Sequence, residues 1–97
     1  MVFQKKKVQL ETLSEYLQEV RRKLKLSLKE VSTLTTISLK FLEALEEGKF
    51  NWLPSDVYVY GFLKKLARLY SLDENVLIAQ FKKERGIFIK QYSLRPN

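Results

Sequence analysis

With no histidine and no cysteine among its 97 residues, this chain would have to move protons or attack electrophiles with Asp, Glu, Lys, Ser or Tyr. The sequence gathers no such group at catalytic spacing, no Gly-rich phosphate loop and no metal-spaced acid cluster. Zinc fingers, disulfides and thiol catalysis are excluded because their residues are missing. An enzyme is not expected, nor a cofactor, a metal or a small-molecule substrate. What remains is recognition chemistry. Tyr58, Phe62, Lys65 and Leu66 fall at i, i+4, i+7 and i+8, so on a helix they gather toward one side. Aromatic anchors beside a cation are the pattern of protein-interface hot spots.

Those residues need a helix to carry them, and the chain reads as five. Thr12 and Glu15 have capping-box spacing and open a first helix over about 13–25, with Leu13, Tyr16, Leu17, Val20 and Leu24 recurring along it. Ser27 and Glu30 repeat the box before a short second helix with Leu28, Val31 and Leu34 inward, which ends among Thr33–Thr36. Ser38 caps a third helix that stops at Gly48. Phe50, Trp52 and Leu53 form a connector expected to plug the core from below. Ser55 or Asp56 opens a fourth helix over about 56–70, and Asp73 a fifth over about 74–85 that Gly86 ends. The fold class is all-α, a compact five-helix bundle in which helices two and three form a helix-turn-helix. The expected organisation is a basic N-terminal tail over 1–12, the helix-turn-helix domain over 13–86, and a tail or the start of a linker over 87–97.

Charge refines the choice of partner. The chain carries a formal +7, which favours anionic partners, yet residues 37–53 hold two lysines against three glutamates. Three basic clusters stand out, at Lys5–Lys7, Arg21–Lys25 and Lys82–Arg85, each equally readable as a solvated face. No run of about 18 apolar residues occurs, so no membrane span is expected.

The segment Ser27 to Gly48, with Val31, Ile37, Leu42 and Leu45 at core positions and Glu46-Glu47-Gly48 closing it, resembles the Cro/repressor type of helix-turn-helix. The order Phe41-Leu-Glu-Ala-Leu-Glu-Glu-Gly48-Lys-Phe50, Leu53-Pro54, Val57-Tyr58, Gly61-Phe62-Leu63 and Ala67-Arg68 is similar to the cytoplasmic domain of the RodZ family of bacterial rod-shape proteins. The likeness runs from about Leu13 to Leu77. It implies an adaptor domain that binds the actin-like protein MreB in cell-shape maintenance, with Phe62 and Leu66 matching an aromatic pair that touches MreB and Tyr58 and Lys65 beside them. The Cro/repressor likeness implies in addition a helix-to-helix salt bridge between Arg21 and Glu46. The implied location is cytoplasmic, at the inner face of the inner membrane where the domain is part of a longer protein, with membrane contact only through a segment outside this chain. Departures from the pattern are Leu28 for the Gln of DNA-binding relatives, Thr36 for their turn glycine, Tyr60 for a basic residue, Leu66 for a tyrosine and Ser71 for a glycine.

The alternative is a transcriptional regulator that binds duplex DNA. A reading helix presents Arg, Lys, Asn or Gln near its N-terminus, and the third helix offers Ser38 and Lys40. Its other outward positions read as Leu39, Glu43, Glu46 and Glu47, with Phe41 at the border. That face would be repelled by phosphate.

Overall fold

The computed structural model describes residues 12–94, with side chains described up to residue 86. The expected N-terminal tail, with Lys5–Lys7, lies almost wholly outside the described residues. Among the described residues five α-helices follow in order: α1 (Leu13–Lys23), α2 (Leu28–Thr35), α3 (Leu39–Glu47), α4 (Asp56–Tyr70) and α5 (Glu74–Leu94), with a 3-10 turn at Phe50–Trp52. No strand is present among the described residues. The architecture is the all-α helix-turn-helix bundle that the pattern of caps and apolar repeats requires.

Both capping boxes form. Thr12 Oγ1 accepts from Glu15 N–H at 3.1 Å while Glu15 Oε1 accepts from Thr12 N–H at 3.2 Å, and Ser27 with Glu30 repeats this at 3.0 and 2.8 Å. Each box satisfies donors that the first turn of a helix leaves open. The start of α1 receives a third acceptor from far along the chain, since Glu84 Oε2 on α5 takes Leu13 N–H at 2.7 Å. Ser38 and Ser55 occupy the cap positions of α3 and α4 but make no side-chain cap bond. Asp73 does, accepting from Asn75 N–H at 2.9 Å.

One core holds the helices together. Leu13 and Leu17 of α1, Val31 of α2, Ile37 from the turn, Leu42 and Leu45 of α3, Val59, Leu63, Leu66, Ala67 and Tyr70 of α4, and Leu77 and Phe81 of α5 are all buried. Along α4 the buried set follows a helical stripe, which is how one face meets the rest of a bundle. Phe50 packs on Phe81 with ring centres 5.3 Å apart, so it does plug the core as expected.

Three expectations about packing and helix ends fail, each for a physical reason. Trp52, read as a plug, is 69% exposed, because the 3-10 turn spends its inward direction on Phe50 and Leu53. Leu34 points outward from α2, since Val31 and Thr35 already fill that helix's inner side. The fifth helix runs through Gly86 to Leu94. A glycine ends a helix by turning left-handed, and without that turn it costs the helix only about 1 kcal/mol.

Left-handed residues mark the ends of α1 to α4. Lys25, Thr36, Gly48 and Ser71 have φ of 58°, 61°, 74° and 60°, and only one of the four is glycine. Thr36 is the exception to weigh, because a β-branched residue is strained there. The turn around it is strapped by side chains: Thr35 Oγ1 donates to Val31 O at 2.7 Å and accepts from Ile37 N–H at 3.2 Å. Ser32 Oγ donates to Ile37 O at 2.6 Å.

Candidate protein-docking surface

α3 and α4 meet at the surface through two rings. Phe41 and Phe62 stack with centroids 5.6 Å apart and planes 25° from parallel, an arrangement worth about 1 kcal/mol beyond simple burial. Both rings are half-buried. Lys40 Nζ sits over the Phe41 ring at 5.2 Å, within cation–π reach. One helical turn before Phe62, Tyr58 stands 65% exposed. Nearly one turn after it, Lys65 is exposed and its Nζ donates to Thr36 Oγ1 in the helix-turn-helix turn at 3.1 Å. Tyr58, Phe62 and Lys65 thus form an outward stripe beside the buried stripe of α4, and Phe41, Lys40 and Thr36 widen it.

Leu66 is not part of this surface. It is 2% exposed and belongs to the core, because the buried stripe of α4 passes through Val59, Leu63, Leu66 and Tyr70. A wide apolar arc read from sequence does not say which edge packs inward. The structure puts Phe41 where Leu66 was expected, as the second ring beside Phe62. The sequence signal for Phe41 was its border position on α3, which is ambiguous until the neighbouring helix is placed.

The other candidate residues divide between strut and surface. Arg21 on α1 and Glu46 on α3 form a two-pronged ion pair, Nε to Oε2 at 2.8 Å and Nη2 to Oε1 at 3.0 Å. Glu46 is buried, so it does not belong to the outward face of α3. Its hydrogen bonds hold the Arg21 guanidinium above its ordinary pKa, outweighing the opposite pull of burial. Ser38 and Lys40 are exposed at the start of α3. The charged side chains exposed along α3 are Lys40, Glu43 and Glu47, with Glu47 3.1 Å from Lys49. Of the basic clusters, Arg85 meets Asp56 at 3.2 Å, and Lys82 lies 5.2 Å over the Tyr60 ring.

Among the described residues no group of acidic side chains is arranged to hold a metal ion, and no helix is long and apolar enough to cross a membrane.

Fold and surface together define a helix-turn-helix domain whose exposed aromatic stripe lies on the helix after the motif. Residues 16–77 match the model of the helix-turn-helix domain family, and the chain belongs to that family. Within it the domain is RodZ-like: it is 40% identical over 67 residues to the cytoskeleton protein RodZ of Streptococcus pneumoniae, across 69% of this chain and 24% of that protein. It is 36% identical over 59 residues to the uncharacterized membrane protein YmfM of Bacillus subtilis, across 61% of this chain and 20% of that one. The chain therefore spans about a quarter or less of the length of these relatives. The solved structure of YmfM from Staphylococcus aureus, a membrane protein proposed to bind DNA, superposes with a TM-score of 0.69 at 31% identity, covering 76% of this chain and 90% of that one.

Proposed function

We propose that this domain is a non-enzymatic adaptor that docks onto an actin-like cytoskeletal protein of the MreB kind in cell-shape maintenance. The docking surface is the stripe Tyr58, Phe62 and Lys65, widened by Phe41 and Lys40. The observation that carries the reading is the Phe41–Phe62 stack with Tyr58 left open beside it and a lysine on either side. Rigid rings give contact area at low entropic cost, and flanking cations set orientation against an acidic partner. The RodZ-like identity supports the choice of partner. A cytoplasmic location follows from that partner.

Duplex DNA is the second reading, favoured by the description of the staphylococcal neighbour and by exposed Ser38 and Lys40 at the start of α3. Against it, the two carboxylates Glu43 and Glu47 share that helix's outer side.

One experiment separates them: parallel titration against polymerised MreB and against a random-sequence duplex, at low and near-physiological salt. Docking predicts saturable MreB binding that persists in salt and weakens at least about tenfold in Phe62→Ala. Tight duplex binding without an MreB response would replace docking with DNA recognition.

A further inference from the structure

The corner where α1 meets α2 shares no residue with the surface just described. α1 ends in a left-handed turn at Lys25, with Lys25 N–H on Arg22 O at 2.9 Å and Leu26 N–H on Arg21 O at 3.2 Å. The Arg21 guanidinium that holds Glu46 also donates through Nη1 to Leu26 O at 2.9 Å. The corner is therefore pinned to the core from one side and to its own backbone from the other. Against this fixed turn lies an open groove of about 410 Å³, lined by Leu26, Ser27, Lys29, Glu30, Thr33 and Leu34. Leu34 is 60% exposed, and Leu24, just before the turn, is exposed as well. A preformed apolar groove in a rigid frame loses little order when it is filled.

Charge selects the occupant. Residues 22–30 hold Arg22, Lys23, Lys25 and Lys29 against the single carboxylate of Glu30. Glu30 is engaged in capping α2, accepting from Ser27 N–H. Lys23 lies 3.8 Å from Glu19, whereas Lys25 and Lys29 make no ion pair among the described residues. A second copy docked through this same corner would set like charges against each other across the groove, which opposes symmetric self-association.

We propose that this groove docks an acidic amphipathic helix of a partner protein. Apolar anchors one helical turn apart rest on Leu26 and Leu34, and flanking carboxylates meet Lys25 and Lys29. This is the helix-in-groove mode, in which the apolar stripe supplies affinity and the flanking charge supplies register.

The test is an NMR titration of the full chain, isotopically labelled, with a synthetic helical peptide of about 14 residues bearing Leu at i, i+3 and i+7 and Glu on its polar face. Its control carries Lys in place of Glu. Saturable shifts confined to residues 24–34, seen with the Glu peptide alone, are expected. Leu34→Ser and Lys29→Glu, both at exposed positions, should each weaken binding about tenfold while leaving the rest of the spectrum unchanged. Equal binding of the Lys peptide, shifts centred elsewhere, or no binding at millimolar peptide would overturn the proposal. So would shifts of residues 24–34 produced by self-association or by anionic phospholipid vesicles without peptide. Because the groove and the Tyr58–Phe62–Lys65 stripe share no residue, loss of one activity leaves the other measurable.

Discussion

α3 and α4 touch through the Phe41–Phe62 stack, yet they use their side chains in opposite directions. α3 turns a carboxylate inward: Glu46 is buried and tied to Arg21. α4 leaves an aromatic outside: Tyr58 is open to solvent while Val59 beside it is fully buried. In a DNA-reading helix-turn-helix the third helix would carry the recognition chemistry. Here it serves first as a strut between α1 and the rest, and its outer side is left with mixed charge. On the docking reading, the surface for a partner lies on the next helix.

The contrast is broken most severely at Glu46. Glu46→Ala leaves the Arg21 guanidinium in a mostly buried setting without its carboxylate, and an orphaned charge of that kind costs about 3 kcal/mol. Urea denaturation should show a loss of that size. A loss below about 1 kcal/mol would mean that the pair is no strut. Leu66→Ala should cost a similar amount, about 3 kcal/mol, by opening a cavity in the α4 stripe. A near-neutral result would return Leu66 to the docking surface.

Next in size is a pH effect at the inner junction of the two helices. Burial pushes the Tyr70 hydroxyl of α4 up to about 12 from its ordinary 10.0, Glu46 of α3 adds to the rise, and Arg21 partly opposes it. The folded state holds that proton more tightly than the unfolded chain does. Its stabilising contribution is therefore complete below pH 10 and disappears as pH climbs from 10 toward 12. Tyr70→Phe should flatten the fall in stability over that window, measured as melting temperature against pH, relative to the parent protein.

What the sequence made legible was local. Thr12 with Glu15 and Ser27 with Glu30 place two helix starts because a capping box needs only four consecutive residues. Val31, Ile37, Leu42 and Leu45 were placed in the core by the resemblance to the Cro/repressor motif, and all four are buried. The errors lie where a neighbour decides. Leu34, Trp52 and Leu66 each sat on an apolar pattern with two possible edges, and only the placement of α1, α4 and α5 selects one. Phe41 joined the candidate surface for the same reason: no periodicity within α3 announces a ring on α4. Glu46 was read both as an outward residue and as the partner of Arg21, and its burial excludes the first.

A smaller effect, of opposite sign, is expected at the C-terminal stop of α2. Thr36 ends α2 as Gly48 ends α3, both left-handed. Thr36→Gly removes the clash of a β-branched side chain in that conformation, set against greater freedom in the unfolded chain, for a net gain of about 0.5–1 kcal/mol. It also removes the hydroxyl that Lys65 Nζ reaches. A rise in melting temperature with weaker MreB binding would show that the turn accepts strain while holding Lys65 in place.

The smallest effect on folding is the one that sharpens the contrast most. Tyr58 makes up part of the outward stripe but is absent from the core and from the partly buried groups packed against it. Tyr58→Ala should therefore change unfolding free energy by no more than about 0.5 kcal/mol. On the docking reading the same change weakens binding to polymerised MreB about tenfold or more, since an open aromatic gains its burial only from a partner. Glu46→Ala should do the reverse, lowering stability steeply while the folded fraction still binds. If Tyr58→Ala instead costs as much stability as Leu66→Ala, its ring is packed in solution and α4 offers no free aromatic. If it costs neither stability nor binding, docking must rest on the Phe41–Phe62 pair and the two lysines alone. Measuring stability and affinity on both variants thus separates what α3 holds together from what α4 holds out.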